Sequence, residues 1–114
     1  MIFKRLKSIY RRLKENEVRN PTLGIAWYAP EQWPRLLEVS IDAHHLEKTH
    51  GEWLAFAEKQ FAELTQKGVP VRKIPVDVVD MAAWCREMGR EVDGPGRAAY
   101  VVWRLEWRPP SRVT

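Results

Sequence analysis

Residues 49–89, THGEWLAFAEKQFAELTQKGVPVRKIPVDVVDMAAWCREMG, decide how this chain folds. Thr49 and Glu52 stand three apart ahead of an apolar run, the spacing of a capping box that satisfies free N–H groups at a helix start. Trp53, Leu54, Ala57, Phe61 and Leu64 then recur at helical spacing, while Glu58, Lys59, Glu63 and Lys67 lie off the stripe. Glu63 and Lys67 form a favourable i, i+4 pair. Gly68 follows the last periodic residue, where a helix can end in a left-handed conformation. Val69 to Val76 is β-branched or alternating and reads as a strand. Pro70 and Pro75 cannot donate to a sheet ladder, so they belong at its ends or on an edge. Asp77 is placed to cap the next helix, with Asp80 in its first turn. Val78, Met81, Ala82, Trp84, Cys85 and Met88 give that helix a broad apolar face, and Gly89 closes it.

Upstream, Leu23 to Tyr28 is short and apolar throughout, which suits a buried strand. Pro30 and Glu31 suit the start of a helix whose apolar side is Trp33, Leu36, Leu37 and Ile41. Pro34 must lie within its first turn. Residues 42–50 form a polar connection. Downstream, Asp93-Gly94-Pro95-Gly96 offers a cap and a first-turn proline, and Arg97 to Trp107 reads as a final helix. Its second half, with Val101-Val102 and WRLEW, also fits a strand. Pro109-Pro110 ends it, and residues 109–114 form a frayed tail. The expected architecture is an α-rich α/β domain over residues 21–108, ordered β-α-α-β-α-α with two short parallel strands. Strands separated by helices pair parallel through a crossover. A two-stranded parallel sheet is poor alone, so helices must cover it or a second copy must extend it.

The 114 residues fit one domain, and 45% hydrophobic residues suffice for one core. No apolar run approaches the length of a spanning helix, and no signal-type apolar stretch follows the basic start, so a cytoplasmic location is expected. Charge is unevenly placed. Residues 1–20 hold seven Lys/Arg against two Glu, a net of +5, whereas the other 94 hold twelve against thirteen, a net of −1. Ile2, Leu6, Ile9 and Leu13 recur at helical spacing, so the arm reads as a basic amphipathic helix ahead of the domain. Such a helix can dock on its own domain, join a protein partner or second copy, or lie on an anionic membrane surface. It can also contact nucleic-acid phosphates. Lys4, Arg5, Lys7, Arg11, Arg12 and Lys14 are its candidate phosphate or anionic-surface contacts. A misplaced start codon would equally account for the arm.

From Gly24 to about Val101, the pattern GIAWY…WPRLLEVS…WLAFAE…GVPVRKIPVDV…WC…G…RAAY resembles a group of small bacterial proteins of unassigned function. The resemblance covers about two-thirds of the chain and implies a compact α/β unit and no particular activity.

The chemistry-bearing residues are few. His44, His45 and His50 lie near Asp42 and Glu47, but no cysteine joins them and their spacing matches no familiar zinc pattern. Cys85, the single cysteine, sits on an apolar helical face, where a small buried hydrophobe is expected. No G-x-G-x-x-G surrounds Gly94, so no nucleotide loop is expected. Asp77, Asp80, Arg86 and Arg97 are the residues available to line a cleft near the strand's C-terminal end. Six tryptophans are many for this length and read mostly as core, with Trp103 and Trp107 the more exposed and available to stack on bases. No catalytic residue, cofactor or metal site is assigned. The expected function is a non-enzymatic bacterial interaction module, accessory or regulatory, with a protein partner. The alternatives are nucleic-acid or membrane-surface binding through the basic arm, and a small enzyme using Cys85 or the three histidines.

Overall fold

Thr49 does cap a helix: extended at φ −125°, it accepts the Glu52 N–H at 3.1 Å. The computed structural model describes residues 22–106. Within them, β1 (Leu23–Trp27) leads through a 3-10 turn at Pro30–Gln32 into α1 (Trp33–Val39). A second 3-10 turn, Ala43–His45, precedes α2 (His50–Gln66), followed by β2 (Val71–Pro75), α3 (Val78–Glu87) and α4 (Gly94–Glu106). The β-α-α-β-α-α order and the parallel pairing agree with the expectation. The candidate contacts Lys4 to Lys14, the arm that carries them, Trp107 and the 109–114 tail lie outside the described residues.

Pro34 occupies the first turn of α1. Gly68 and Gly89 end their helices at φ +79° and +68°, a region that only glycine enters without strain. Asp77 accepts the N–H groups of Val79 and Asp80 at 2.9 and 3.3 Å, capping α3. One contact that local patterns do not signal fixes α3 further: Gln32 Oε1 accepts the Val78 N–H at 2.8 Å, tying the helix start to the turn after β1.

The strands align Leu23 with Val71 through Trp27 with Pro75. Leu23 N–H donates to Pro70 O, and Trp27 O accepts from Val76 N–H. Backbone groups alternate sides along a strand, so residues 23, 25 and 27 face β2 while 24, 26 and 28 face the other way. Pro75 then sits where its missing N–H falls on the outer edge of β2, as its lack of a donor requires.

Helices cover both faces. On one face, Leu23 and Ile25 pack with Leu64 of α2, and Trp27, Phe61, Val69 and Val71 lie against them. Lys73 Nζ lies 4.4 Å from the Trp27 ring centroid and 4.8 Å from that of Phe61. On the other face α4 presses directly on the strand. A Cβ on Gly24 would come within 2.6 Å of Val101 Cγ1 and 2.8 Å of Leu105 Cδ1. The main core gathers Tyr28, Trp33, Leu36, Trp53, Ala57, Val76, Val78, Met81, Cys85 and Tyr100.

Several sequence expectations are corrected. Ile41 is 60% exposed and lies beyond the end of α1, and Met88, the C-cap of α3, is 54% exposed and not part of its apolar face. Residues 101–106 are helical, so the strand alternative for them fails. Gly96, Tyr100 and the adjacent Val101 are all buried on α4, whereas alternation along a half-buried strand would bury only one of two neighbours.

Candidate functional site

Beside the outer edge of β1 lies a cavity of about 620 Å³. Its floor is Gly24, Ile25, Ala26 and Tyr28 of the first strand and its end. One wall is Trp53, Phe56, Ala57 and Gln60 of α2, and the other is Gly94, Arg97, Ala98 and Val101 of α4. Trp33, Leu36 and the 42–47 segment close one end. Because one helix lies on each face of the sheet, the strand edge between them becomes the bottom of a recess.

The aromatic wall is rigidly built. Trp53 stacks on Trp33 at 5.4 Å and 27°, and meets Trp27 and Tyr28 edge-on at 5.4 and 5.3 Å. Trp33 Nε1 donates to Glu47 O at 3.1 Å, which holds the 42–47 segment in place. Burial pushes the Tyr28 hydroxyl well above the usual phenol range, against a smaller opposing pull from Arg97, so it stays protonated and remains a donor.

Three polar features face this recess. The first is a two-pronged ion pair: Arg97 Nη1 and Nη2 each donate to an Asp42 carboxylate oxygen at 2.9 Å. The same guanidinium reaches Ser40 Oγ at 3.0 Å, and Asp42 Oδ2 accepts the Gly94 N–H at 3.1 Å. These bonds hold the Asp42 carboxyl below its ordinary value of 3.8, the Arg97 hydrogen bonds acting most strongly and burial opposing them. The second feature is Glu47, half-buried and without an ion pair among the described residues. The third is Gln60, a lining residue 8% exposed, whose Oε1 is closed to solvent and has no hydrogen-bond partner among the described residues.

The Asp42–Arg97 pair makes a checkable contribution. Asp42→Asn removes the charge but keeps the shape, leaving a guanidinium whose side chain is 12% exposed without its counter-ion. A loss of about 2 kcal/mol is expected, the scale of hydrogen bonds to charged groups in partly buried sites. Because the folded carboxyl is more acidic than the unfolded one, its contribution is complete above about pH 4. It drains as pH falls through the lowered folded value. Urea melts from pH 7 to pH 2 should show the native chain and the variant converging at the acid end. A constant gap across that range would refute the assignment.

The other sequence candidates are dispersed. His44 and His45 lie on the exposed 3-10 turn with rings 4.0 Å apart. His50 instead opens α2, its Nε2 2.7 Å from Tyr28 O and its ring packed on Trp53 at 5.2 Å. Cys85 is 1% exposed, and burial pushes its thiol up. Among the described residues no group of three His, Cys, Asp or Glu side chains could hold a metal ion. Of the four residues expected in a strand-end cleft, Arg97 alone lines the recess, and that recess follows the edge of β1. Asp77 is occupied as a cap, and Asp80 and Arg86 are exposed on α3. Trp103 is half-buried, with its ring 5.7 Å from Trp84 and 5.9 Å from Tyr100, which fits packing better than an open stacking platform.

Sequence reasoning missed Gln60, although a signal existed. Trp53, Ala57, Gln60 and Leu64 are all buried and follow one another at steps of four, three and four, so the glutamine sits on the buried stripe itself. Asp42 and Arg97 are 55 residues apart, and nothing local announces their meeting. Among the described residues no helix is long and apolar enough to cross a membrane. In comparisons with known proteins, no family model, no curated protein and no solved structure matches the chain.

Proposed function

We propose that this chain is a non-enzymatic protein-interaction module, a bacterial accessory or regulatory component of the cytoplasm, and that it takes up its partner in the recess beside β1. The observation that carries this reading is the aromatic-walled cavity beside β1 with Gln60 in its wall: among the described residues Gln60 Oε1 and Trp84 Nε1 are buried without a hydrogen-bond partner, and of the two residues Gln60 alone lines the cavity. An unmet buried acceptor is costly, on the order of 1–3 kcal/mol, and native proteins seldom keep one without a use. The cavity volume falls in the range of binding sites, and its composition, mostly apolar with a few placed polar groups, is that of such sites. Of its ionisable groups, Asp42 and Arg97 are spent on each other and Tyr28 is held protonated, which leaves Glu47 and His45.

The test places a benzophenone amino acid at Phe56, in the recess wall, or at exposed Lys59 on the same helix, in the full chain inside cells. Irradiation should join a defined protein to position 56 and not to position 59. Filling the recess with Ala98→Phe should lower that yield about tenfold, the effect of ~1.4 kcal/mol of lost contact, while the melting curve still shows a folded chain. Equal yields at both positions, or capture of small molecules alone, would refute the reading.

A further inference from the structure

The two edges of this sheet are treated differently. The outer edge of β2 carries Lys73 and Pro75, the charged and donor-less residues that discourage pairing with another strand. The outer edge of β1 carries Gly24 and Ala26, which discourage nothing. Strand alternation points their N–H and C=O groups away from β2, and among the described residues no hydrogen bond reaches those groups. Gly24 is nonetheless buried and Ala26 half-buried. Buried backbone polar groups are almost always paired in native proteins. At Tyr28 the edge ends, because its carbonyl is already engaged by His50.

Resting on the recess as the partner site, we infer that the partner enters as an extended peptide segment that adds a third strand to β1. Its backbone pairs with Gly24 and Ala26, the Gln60 amide turns to meet a donor on it, and apolar side chains fill the space between α2 and α4. The charge balance names one more feature. Asp42 and Arg97 cancel, which leaves the Glu47 carboxylate as the uncompensated charge among the described lining residues. Glu47 lies at the Tyr28 end, where its carbonyl holds Trp33 and the Trp33 ring meets Tyr28 at 5.8 Å. The segment therefore carries a lysine or arginine at that end. Strand addition suits the site because main-chain bonds supply affinity while pockets for alternate side chains supply selectivity. A second copy does not suit it. Symmetric pairing would have to bring two β1 edges together, and each lies at the bottom of a recess between helices.

The experiment pans random nine-residue peptides against the immobilised full chain and follows the selected peptide, made synthetically, by amide hydrogen exchange. The expected peptides are apolar with a basic residue toward one end. On binding, exchange at Gly24 and Ala26 slows roughly tenfold or more, while Ile25, already bonded to β2, is unchanged. Methylating the peptide amides that face β1 abolishes binding, and methylating the alternate amides does not. Gln60→Leu and Glu47→Gln each weaken the peptide roughly fivefold to tenfold, Glu47→Gln only when the basic residue is present. Selected peptides that leave Gly24 and Ala26 exchange untouched, with crosslinks at Phe56 intact, overturn strand addition and spare the broader reading. Failure of both overturns both. Protection of the two amides in the free chain also overturns the inference: it assigns the edge to a second copy if the mass is that of a dimer, and to residues 1–21 if deleting them removes it.

Discussion

Trp53→Ala is expected to lower stability by about 4 kcal/mol, within the range for deleting a large aromatic side chain from a core. Trp53 is 4% exposed and touches the rings of Trp27, Tyr28, Trp33 and His50. It therefore joins the strand, the helix after it and the start of α2 through one side chain. Its neighbours are bulky, and Trp33 is pinned by its bond to Glu47, so the space cannot collapse cheaply. For a domain of this size the change corresponds to a fall in Tm of roughly 15–30 °C. Urea unfolding should show a lower midpoint at an unchanged slope. A loss below about 1 kcal/mol would mean that the aromatic group is not a shared packing unit, since isolated surface substitutions cost no more than that.

The second large effect belongs to Gly96→Ala. Position 96 lies in the first turn of α4, where Asp93 Oδ1 accepts its N–H at 2.9 Å. An added Cβ would overlap the carbonyl oxygen of Glu91, a backbone atom that cannot rotate away, and would crowd Asp93 Oδ1 at 3.2 Å. Moving that turn disturbs the Asp93 cap together with the Gly94 N–H and Arg97 bonds to Asp42. A cost of about 3 kcal/mol is expected, the upper part of the range for overpacking. Gly51→Ala supplies the contrast. It lies in the first turn of α2 with nothing within 4 Å of the added atom. There the exchange should raise stability by about 0.5 kcal/mol through helix preference. Thermal melts of the two variants should move in opposite directions. A Gly96→Ala protein as stable as the parent would refute the close approach of Glu91 to α4.

Elements that depend on near neighbours in the chain were legible. The Thr49 and Asp77 caps, the left-handed stops at Gly68 and Gly89, and the proline positions in α1 and β2 each follow from a few adjacent residues. For the same reason the order of strands and helices followed, and with it the parallel pairing. The errors sit at ends. Ile41 kept the apolar period after its helix had stopped, and periodicity carries no information on where a helix stops unless a cap is present, while Met88, the C-cap of α3, turned to solvent although Gly89 marked the stop correctly. Residues 101–106 were ambiguous because β-branched residues favour a strand locally. The sheet face that Val101 and Leu105 cover favours a helix.

The candidate site was much less visible. Asp42 looked like part of a histidine-rich loop, yet its partner Arg97 comes from the far end of the domain. His50 looked like a companion of His44 and His45, and became instead the partner of the Tyr28 carbonyl just past β1. Gln60 was passed over, although its spacing put it on the buried stripe of α2.

By itself, the order of residues determined the elements, their caps and breaks, and the direction in which two strands must pair. Each of these is set by backbone preferences acting over one or two turns of chain. Only the tertiary structure decided that one strand edge is blunted while the other, unpaired among the described residues, lies at the bottom of a recess. It also decided that an aspartate and an arginine cancel there, and that a glutamine oxygen is left unmet among the described residues. Those are properties of surfaces brought together from five separate segments, and a local pattern cannot encode what will stand opposite it.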